Sequence, residues 1–423
     1  MSHSTETERP DTRPQSRAEA EALAWSLPLE EIAPADPAIF ALGAELAYFE
    51  RLRRDAPIHV VDSARFGRYW SLTRYDDIMA VDTNHGDFSS EPAISLNDPQ
   101  EGLPLPMFIA MDQPKHTLQR KTVNSIAQPP NVAALEPLIR ERAATILDGL
   151  PRGEVIDWVD CVSIELTAMT LATLFDIPQE DRRKLTRWSD VATSNEDSGL
   201  IMKPEQRKAE LLECLAYFTD VWNERVGKAG GNDLISMLAN GPATRDMDRF
   251  EYLGNLILLI VGGNDTTRNT ISGSVLALNR HPDQYRRLRA DPSLIPNMVS
   301  ETIRWQTPLA YMRRTAKRDI DYKGHTIRAG EKVAMWYVSG NRDPAIFERG
   351  DEYWIERPNV RRHLSFGFGI HRCVGQRLAD LQLQVIWEEI LKRFSHIEVV
   401  EEPRRVRSAF VRGYESLPVR LHA

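Results

Sequence analysis

Cysteine is scarce in this chain of 423 residues: Cys161, Cys214 and Cys373 are the only three. They are odd in number and far apart, which excludes a disulfide framework and any CxxC redox or metal pair. No stretch approaches ~18 unbroken apolar residues, so no membrane anchor is expected. The opening segment, MSHSTETERPDTRPQSRAEAEAL, lacks the apolar core of a secretory leader. A reducing, cytoplasmic setting follows as the expectation. A basic excess is missing as well, since 53 Lys and Arg stand against 61 Asp and Glu for a net charge of -8. That balance argues against a general nucleic-acid binder, while leaving room for a local basic patch.

What remains is ordinary globular material, with 42% hydrophobic and 27% charged residues, enough to bury a sizeable core. Residues 1–22 read as a flexible polar tail with helix possible toward its Ala/Glu end, and residues 23–423 as a single domain. Apolar side chains recur at helical spacing over 38–55, and again near 132–149, 159–175, 179–192, 204–227, 232–239, 248–280, 282–290, 295–305 and 375–393. Short β-branched and aromatic runs predict a hairpin at 56–60 and 68–73, another over 320–327, and a strand from Lys332 to Trp336. Between Phe88 and Met111 the chain is irregular and rich in Pro, Gly, Ser and Asp, a candidate lid or ligand-contacting loop. The fold class expected is mainly α with a minor β region.

The longest helical pattern carries an anomaly. Leu253, Leu256, Ile257 and Ile260 set an apolar face that resumes at Ile271, Ser274 and Leu278, yet Gly262-Gly263-Asn264-Asp265-Thr266-Thr267 lies between. Each glycine costs a helix about 1 kcal/mol relative to alanine. Either the glycines permit a tight helix crossing or end the helix, or a distorted turn opens a groove in which Asp265 and Thr266 face a ligand.

The most informative stretch is Phe366-Gly367-Phe368-Gly369-Ile370-His371-Arg372-Cys373-Val374-Gly375, just before a helix. Backbone N–H groups and the positive helix end favour a thiolate there, as do Arg372 and His371 if they lie close. Cys373 is then an inert buried thiol, a nucleophile without an evident oriented partner, a zinc ligand with His363 and His371 but without a second short-spaced pair, or a single thiolate ligand to haem iron.

This segment resembles the haem-binding signature of the cytochromes P450. Glu301-Thr302-Ile303-Arg304 is similar to that family's ExxR motif, and Gly262-Gly263-Asn264-Asp265-Thr266 resembles the oxygen-activating turn of its long helix. The order and separation of the three agree, and the resemblance runs from about residue 40 to the C-terminus. It implies a haem b held by Cys373, whose electron donation favours O–O cleavage. His116, Arg120, Arg314 and His371 match propionate-binding positions. Glu301, Arg304 and Arg357 match an internal ion network that positions the cysteine loop. Thr266 and Asp265 match the residues that deliver protons, so loss of Thr266 is expected to uncouple electron use from product formation more than it weakens haem binding.

The same matching nominates Phe108, Leu258, Val261, Gly262, Ala310, Met312, Phe410 and Val411 for a substrate pocket. The wording of VGGNDTTRNTISG, TPLAYMRRTAKRD and RPNVRRHLSFGFGIHRCVGQRLADLQ is similar to the bacterial alkane-hydroxylating branch of the family. That likeness implies terminal hydroxylation of medium-chain alkanes or fatty acids. The alternatives are a steroid or terpene hydroxylase and a non-catalytic haem protein. With no GxGxxG after a strand, no flavin domain and no iron–sulfur cysteine set, electrons must come from outside. The expected donor is a [2Fe-2S] ferredoxin fed by a separate NAD(P)H-dependent reductase, docking near Lys121, Arg362, Arg372 and Arg377.

Overall fold

The architecture is organised by one helix, Arg249–Arg280, whose 32 residues extend roughly 48 Å at 1.5 Å per residue. Asp248 caps its first turn by accepting from the N–H groups of Phe250 and Glu251. In this computed structural model, which describes residues 14–99, 102–194, 203–228 and 230–422, the helix runs through two apolar clusters. Its first half packs Leu253, Leu256, Ile257 and Ile260 among Leu171, Phe175, Trp188 and Phe218. Its second half packs Ile271, Val275 and Leu278 with Ile303, Leu383 and Trp387, side chains of helices Ile295–Gln306 and Gln376–Arg393.

The helix neither ends nor breaks at its glycine pair. A Cβ on Gly263 would lie 2.6 Å from Leu171 Cδ2, so this glycine admits helix Glu165–Phe175 at close range. Gly262 faces open space. The tight-crossing explanation therefore holds for one glycine and the groove explanation for the other, without the expected distortion.

The β part is small and peripheral. A five-stranded sheet runs in the order Ile58–Ser63, Gly67–Leu72, Lys332–Met335, Met312–Ala316, Phe88–Ser89. Gly67–Leu72 pairs with Lys332–Met335 in parallel, and the other neighbours are antiparallel. Its register sets Arg314 opposite Val333, and the Arg314 side chain is buried where it bonds Asp82. The mainly helical fold with a minor β region matches the expectation.

Several boundaries differ from the sequence reading. The 38–55 segment forms two helices, Pro37–Leu42 and Glu45–Asp55, because Gly43 takes the left-handed conformation between them. Residues 17–22, expected in the tail, belong to helix Arg17–Ser26, whose Ala20 and Ala24 are buried beside Ile39, Tyr48 and Leu52. The ordered body thus begins before residue 23, while residues 1–13 lie outside the described residues. Helix Tyr75–Thr83 was not anticipated, its apolar residues Ile78 and Val81 being embedded in a run of Asp and Thr. Among the described residues, no helix is long and apolar enough to cross a membrane.

Candidate functional site

Beneath the central helix lies a cavity of about 800 Å³, near the upper end of the roughly 300–1,000 Å³ usual for small-molecule and cofactor sites. Cys373 lines it from the loop before helix Gln376–Arg393, and Gly262 and Thr266 line it from the central helix. Arg120, Arg314 and His371 line it too. Cys373 is exposed and lines the cavity. Desolvation by the surrounding protein pushes its thiol up, and the N–H groups of Gly375 and Gln376 together with the Arg120 charge oppose that rise. The loop is closed by the Cys373 N–H, which donates to the Phe366 carbonyl at 2.8 Å.

One edge of the cavity concentrates groups that seek anions. The rings of His116 and His371 lie 4.0 Å apart. Both nitrogens of His116 and Nδ1 of His371 are buried without a hydrogen-bond partner among the described residues. Burial, reinforced by Arg120 and Arg314, holds His116 down to about 4. Burial and the Arg314 charge hold His371 down to about 2. Arg120 donates to the Arg372 carbonyl, which ties helix Lys115–Val123 to the cysteine loop. His371 Nε2 bonds Ser90 Oγ at 2.8 Å and His116 is not itself among the cavity-lining residues, but three unpartnered ring nitrogens beside two guanidinium groups form a site that suits negative charge.

The Glu301 motif is fully buried and fully engaged. Arg304 makes a bidentate pair with Glu301, through Nε at 2.7 Å and Nη2 at 2.8 Å. Arg357 joins the same carboxylate at 3.1 and 3.2 Å. Arg304 Nη1 continues to the Asn341 carbonyl at 2.6 Å. Asn341 then accepts from the Leu364 N–H at 2.6 Å and donates to Ser365 Oγ at 2.9 Å, where the cysteine loop begins. Asn341 has no motif around it, and only the structure reveals it as the bridge.

The central-helix polar residues divide by direction. Thr266 Oγ1 donates to the Gly262 carbonyl at 2.8 Å and borders the cavity. Asp265, which the groove alternative had facing a ligand, is not among the cavity-lining residues. It accepts from Ser189 Oγ at 2.8 Å and Thr193 Oγ1 at 3.3 Å and pairs with Arg268 at 3.0 Å. Thr193 itself lines the cavity, leaving Asp265 one hydroxyl removed from it.

Of the nominated pocket residues, Phe108, Leu258, Val261, Gly262, Met312 and Phe410 line the cavity. Ala310 and Val411 do not. Both are buried, at 0% and 3% exposure, while their chain neighbours Leu309 and Phe410 line the cavity instead. The zinc alternative finds no support, because the described residues contain no cluster of three metal-ligating side chains. Much of the 88–111 loop borders the cavity, including Pro92, Ile94, Leu103 and Met107. Lys121, Arg362, Arg372 and Arg377 are all exposed, and Arg377 reaches the Ala127 carbonyl at 3.5 Å, close to the end of the helix that carries Lys121.

Comparison with known proteins decides the family. The cytochrome P450 sequence profile matches residues 206–414. Linalool 8-monooxygenase of Pseudomonas putida is 33% identical over 383 residues, covering 88% of this chain and 94% of that protein. The chain belongs to the cytochrome P450 family. It is accordingly a haem-thiolate monooxygenase. A methyl-branched lipid omega-hydroxylase of Mycobacterium bovis is also 33% identical, over 88% of this chain and 90% of its own. The solved structure of cytochrome P450-153 from Novosphingobium aromaticivorans superposes with a TM-score of 0.86 at 45% identity, over 92% of this chain and 99% of that one. The family's haem fits the residues present: a cysteine with amide donors at one wall of a large cavity, and three unpartnered imidazole nitrogens beside two guanidinium groups that suit its carboxylates.

Proposed function

We propose that this P450 hydroxylates the terminal carbon of medium-chain alkanes or fatty acids, as a cytoplasmic enzyme with a single catalytic domain that includes helix Arg17–Ser26. When bound, the haem supplies activation of O2 and insertion of one oxygen atom into a C–H bond, the other leaving as water after uptake of two electrons and two protons. The chain supplies the rest. Cys373 would offer its sulfur as the iron ligand, and His116, Arg120, Arg314 and His371 would hold the propionates. Thr266 Oγ1 presents a hydroxyl to the reacting side, and Asp265 passes protons toward it through Thr193.

The observation that carries the substrate reading is the lining of the cavity beyond Thr266. Leu103, Phe108, Leu174, Leu258, Val261 and Phe410 form an apolar wall. A methylene contributes ~0.8 kcal/mol on burial, so a chain of about eight gains ~6 kcal/mol without any polar anchor. Terminal attack on the stronger primary C–H bond then depends on walls that hold the last carbon at the reacting centre. The likeness to the lipid omega-hydroxylase agrees with this reading, and the likeness to linalool 8-monooxygenase supports a terpene substrate as the rival.

Electrons come from a [2Fe-2S] ferredoxin served by a separate NAD(P)H-dependent reductase. Lys121, Arg372 and Arg377 offer basic charge on the cysteine side, with Arg362 nearby, and Leu118, 55% exposed on helix Lys115–Val123, offers an apolar centre. Product analysis with alkanes, fatty acids, a terpene alcohol and a steroid tests the substrate. Terminal alcohols are expected, and exclusively internal or ring hydroxylation overturns the proposal. A haem protein that binds carbon monoxide but forms no product with any of them would be non-catalytic.

A further inference from the structure

Asp82 is a buried carboxylate to which neither the motifs nor the proposed reaction gives a part. It lies in the last turn of helix Tyr75–Thr83, 3% exposed, and borders the same cavity as Cys373 and Arg314. Its Oδ1 accepts from Arg314 Nη2 at 2.7 Å. Its Oδ2 accepts from the Tyr337 hydroxyl at 2.9 Å and from the backbone N–H of Phe368 at 2.9 Å. Arg314 Nη1 donates to the Arg313 carbonyl at 3.0 Å, so the guanidinium is held from two sides.

The backbone of the cysteine loop is shaped around the same residue. Gly369 has φ 66°, and a Cβ there would sit 3.0 Å from the Asp82 carbonyl oxygen. Gly367 has φ 63°, and a Cβ there would come within 3.3 Å of the Tyr337 hydroxyl and 3.5 Å of Asp82 Oδ2. Both left-handed positions favour glycine, and they bring the loop backbone against Asp82 and its partner, most closely at Gly369. A carboxylate this deep is costly to bury, and three donors on two oxygens satisfy it.

We infer that Asp82 is a positioning residue of the haem site. One carboxylate joins the loop that carries Cys373, through Phe368, to the guanidinium that faces a propionate, so the proximal ligand and the propionate clamp keep a fixed separation. Its negative charge also offsets Arg314 and thereby tempers the positive edge formed with Arg120. The inference rests on the haem reading above.

The two roles have separate readouts. A negative charge near the iron opposes uptake of an electron, so Asp82→Asn shifts the reduction potential of the holoenzyme to more positive values. Tyr337→Phe keeps the charge but removes a donor that offsets it, and shifts the potential the other way. Loosening of the loop alone gives no reason for opposite signs. Loss of the tie should also speed haem transfer to an excess of apo-globin by roughly 10–100-fold in Asp82→Asn, as for other outer-shell partners of metal sites.

The wild-type reduced carbon monoxide difference spectrum is recorded first. Absence of the thiolate-type band there overturns the haem reading, and this inference with it. Given that band, unchanged potential and haem loss in Asp82→Asn, or shifts of the same sign in both variants, overturn the inference alone. If Asp82→Asn cannot be isolated with haem, Tyr337→Phe decides: a negative shift supports the assignment, and no shift or a positive one overturns it.

Discussion

Glu301 shows at the scale of one side chain how an exposed-looking motif becomes structural. Two guanidinium groups converge on its carboxylate in a site closed to solvent. Replacing it with glutamine leaves Arg304 and Arg357 buried around a neutral amide, and the expected loss of stability is ~3–5 kcal/mol, read from urea unfolding. His363 gives a second residue-level prediction, one of pH. Burial, with Arg304 and Arg372 adding to it, holds the imidazole down to about 3, against 6.5 in the unfolded chain. Between those values the unfolded chain binds the extra proton, so stability falls as pH drops below 6.5. A His363→Gln variant lacks this dependence, and its stability deficit relative to wild type should narrow by about 1.4 kcal/mol for each pH unit below 6.5. A gap that stays constant between pH 7.5 and 5 would show that His363 is not held neutral. Glu301 and Arg304 were legible because they are three apart, and Cys373 because it sits within a glycine-rich segment, whereas Arg357 came only from family matching. Asp82 and Asn341 were not, since their partners are hundreds of positions away or are backbone atoms, which leave no local signature.

At the scale of an element, the central helix was legible as a helix and undecided at its centre. Periodicity located its apolar faces, whereas Gly-Gly-Asn-Asp left a tight crossing, a helix end and a distorted turn all open; the cap by Asp248 is seen in the structure. The structure resolves the difference by contact. Asn264 accepts from Thr167 Oγ1 at 3.0 Å and Asp265 from Ser189, so neighbouring helices satisfy the polar groups and the helix keeps its course. The glycines then have distinct roles that substitution can separate. Gly262→Ala meets nothing within 4 Å and gains helix propensity, so stability should hold or rise by up to ~1 kcal/mol while substrate affinity changes. Gly263→Ala drives a methyl group into buried Leu171, and should lose ~1–3 kcal/mol to overpacking, less the same propensity gain. Combining it with Leu171→Ala should recover part of that loss, a non-additivity measurable in a double-mutant cycle. Additive losses would mean the crossing has slack. Two pocket nominations failed for a different reason: matching by position identifies the segments around 310 and 411 but not which side chains reach the cavity, and Leu309 and Phe410 line it where Ala310 and Val411 do not.

For the whole molecule, the net charge of -8 and the cysteine-side arginines pull in opposite directions. An acidic iron–sulfur protein is repelled by the chain as a whole and attracted by a local patch, and which wins depends on distance. Screening over ~8 Å at physiological salt suppresses the long-range repulsion first, so on the proposed ferredoxin docking Lys121, Arg372 and Arg377 would orient the partner. Charge reversal at Lys121 or Arg377 should therefore slow ferredoxin-driven reduction several-fold at low ionic strength, and the difference from wild type should shrink as salt is raised. Leu118→Ala behaves differently, because an apolar centre contributes through desolvation: its deficit should persist at high salt. Stopped-flow reduction under carbon monoxide, with one ferredoxin and a salt series, measures both. Equal rates for wild type and the charge-reversed variants at low salt would move the docking site away from the cysteine face, and a Leu118→Ala deficit that vanishes with salt would remove the apolar centre from it.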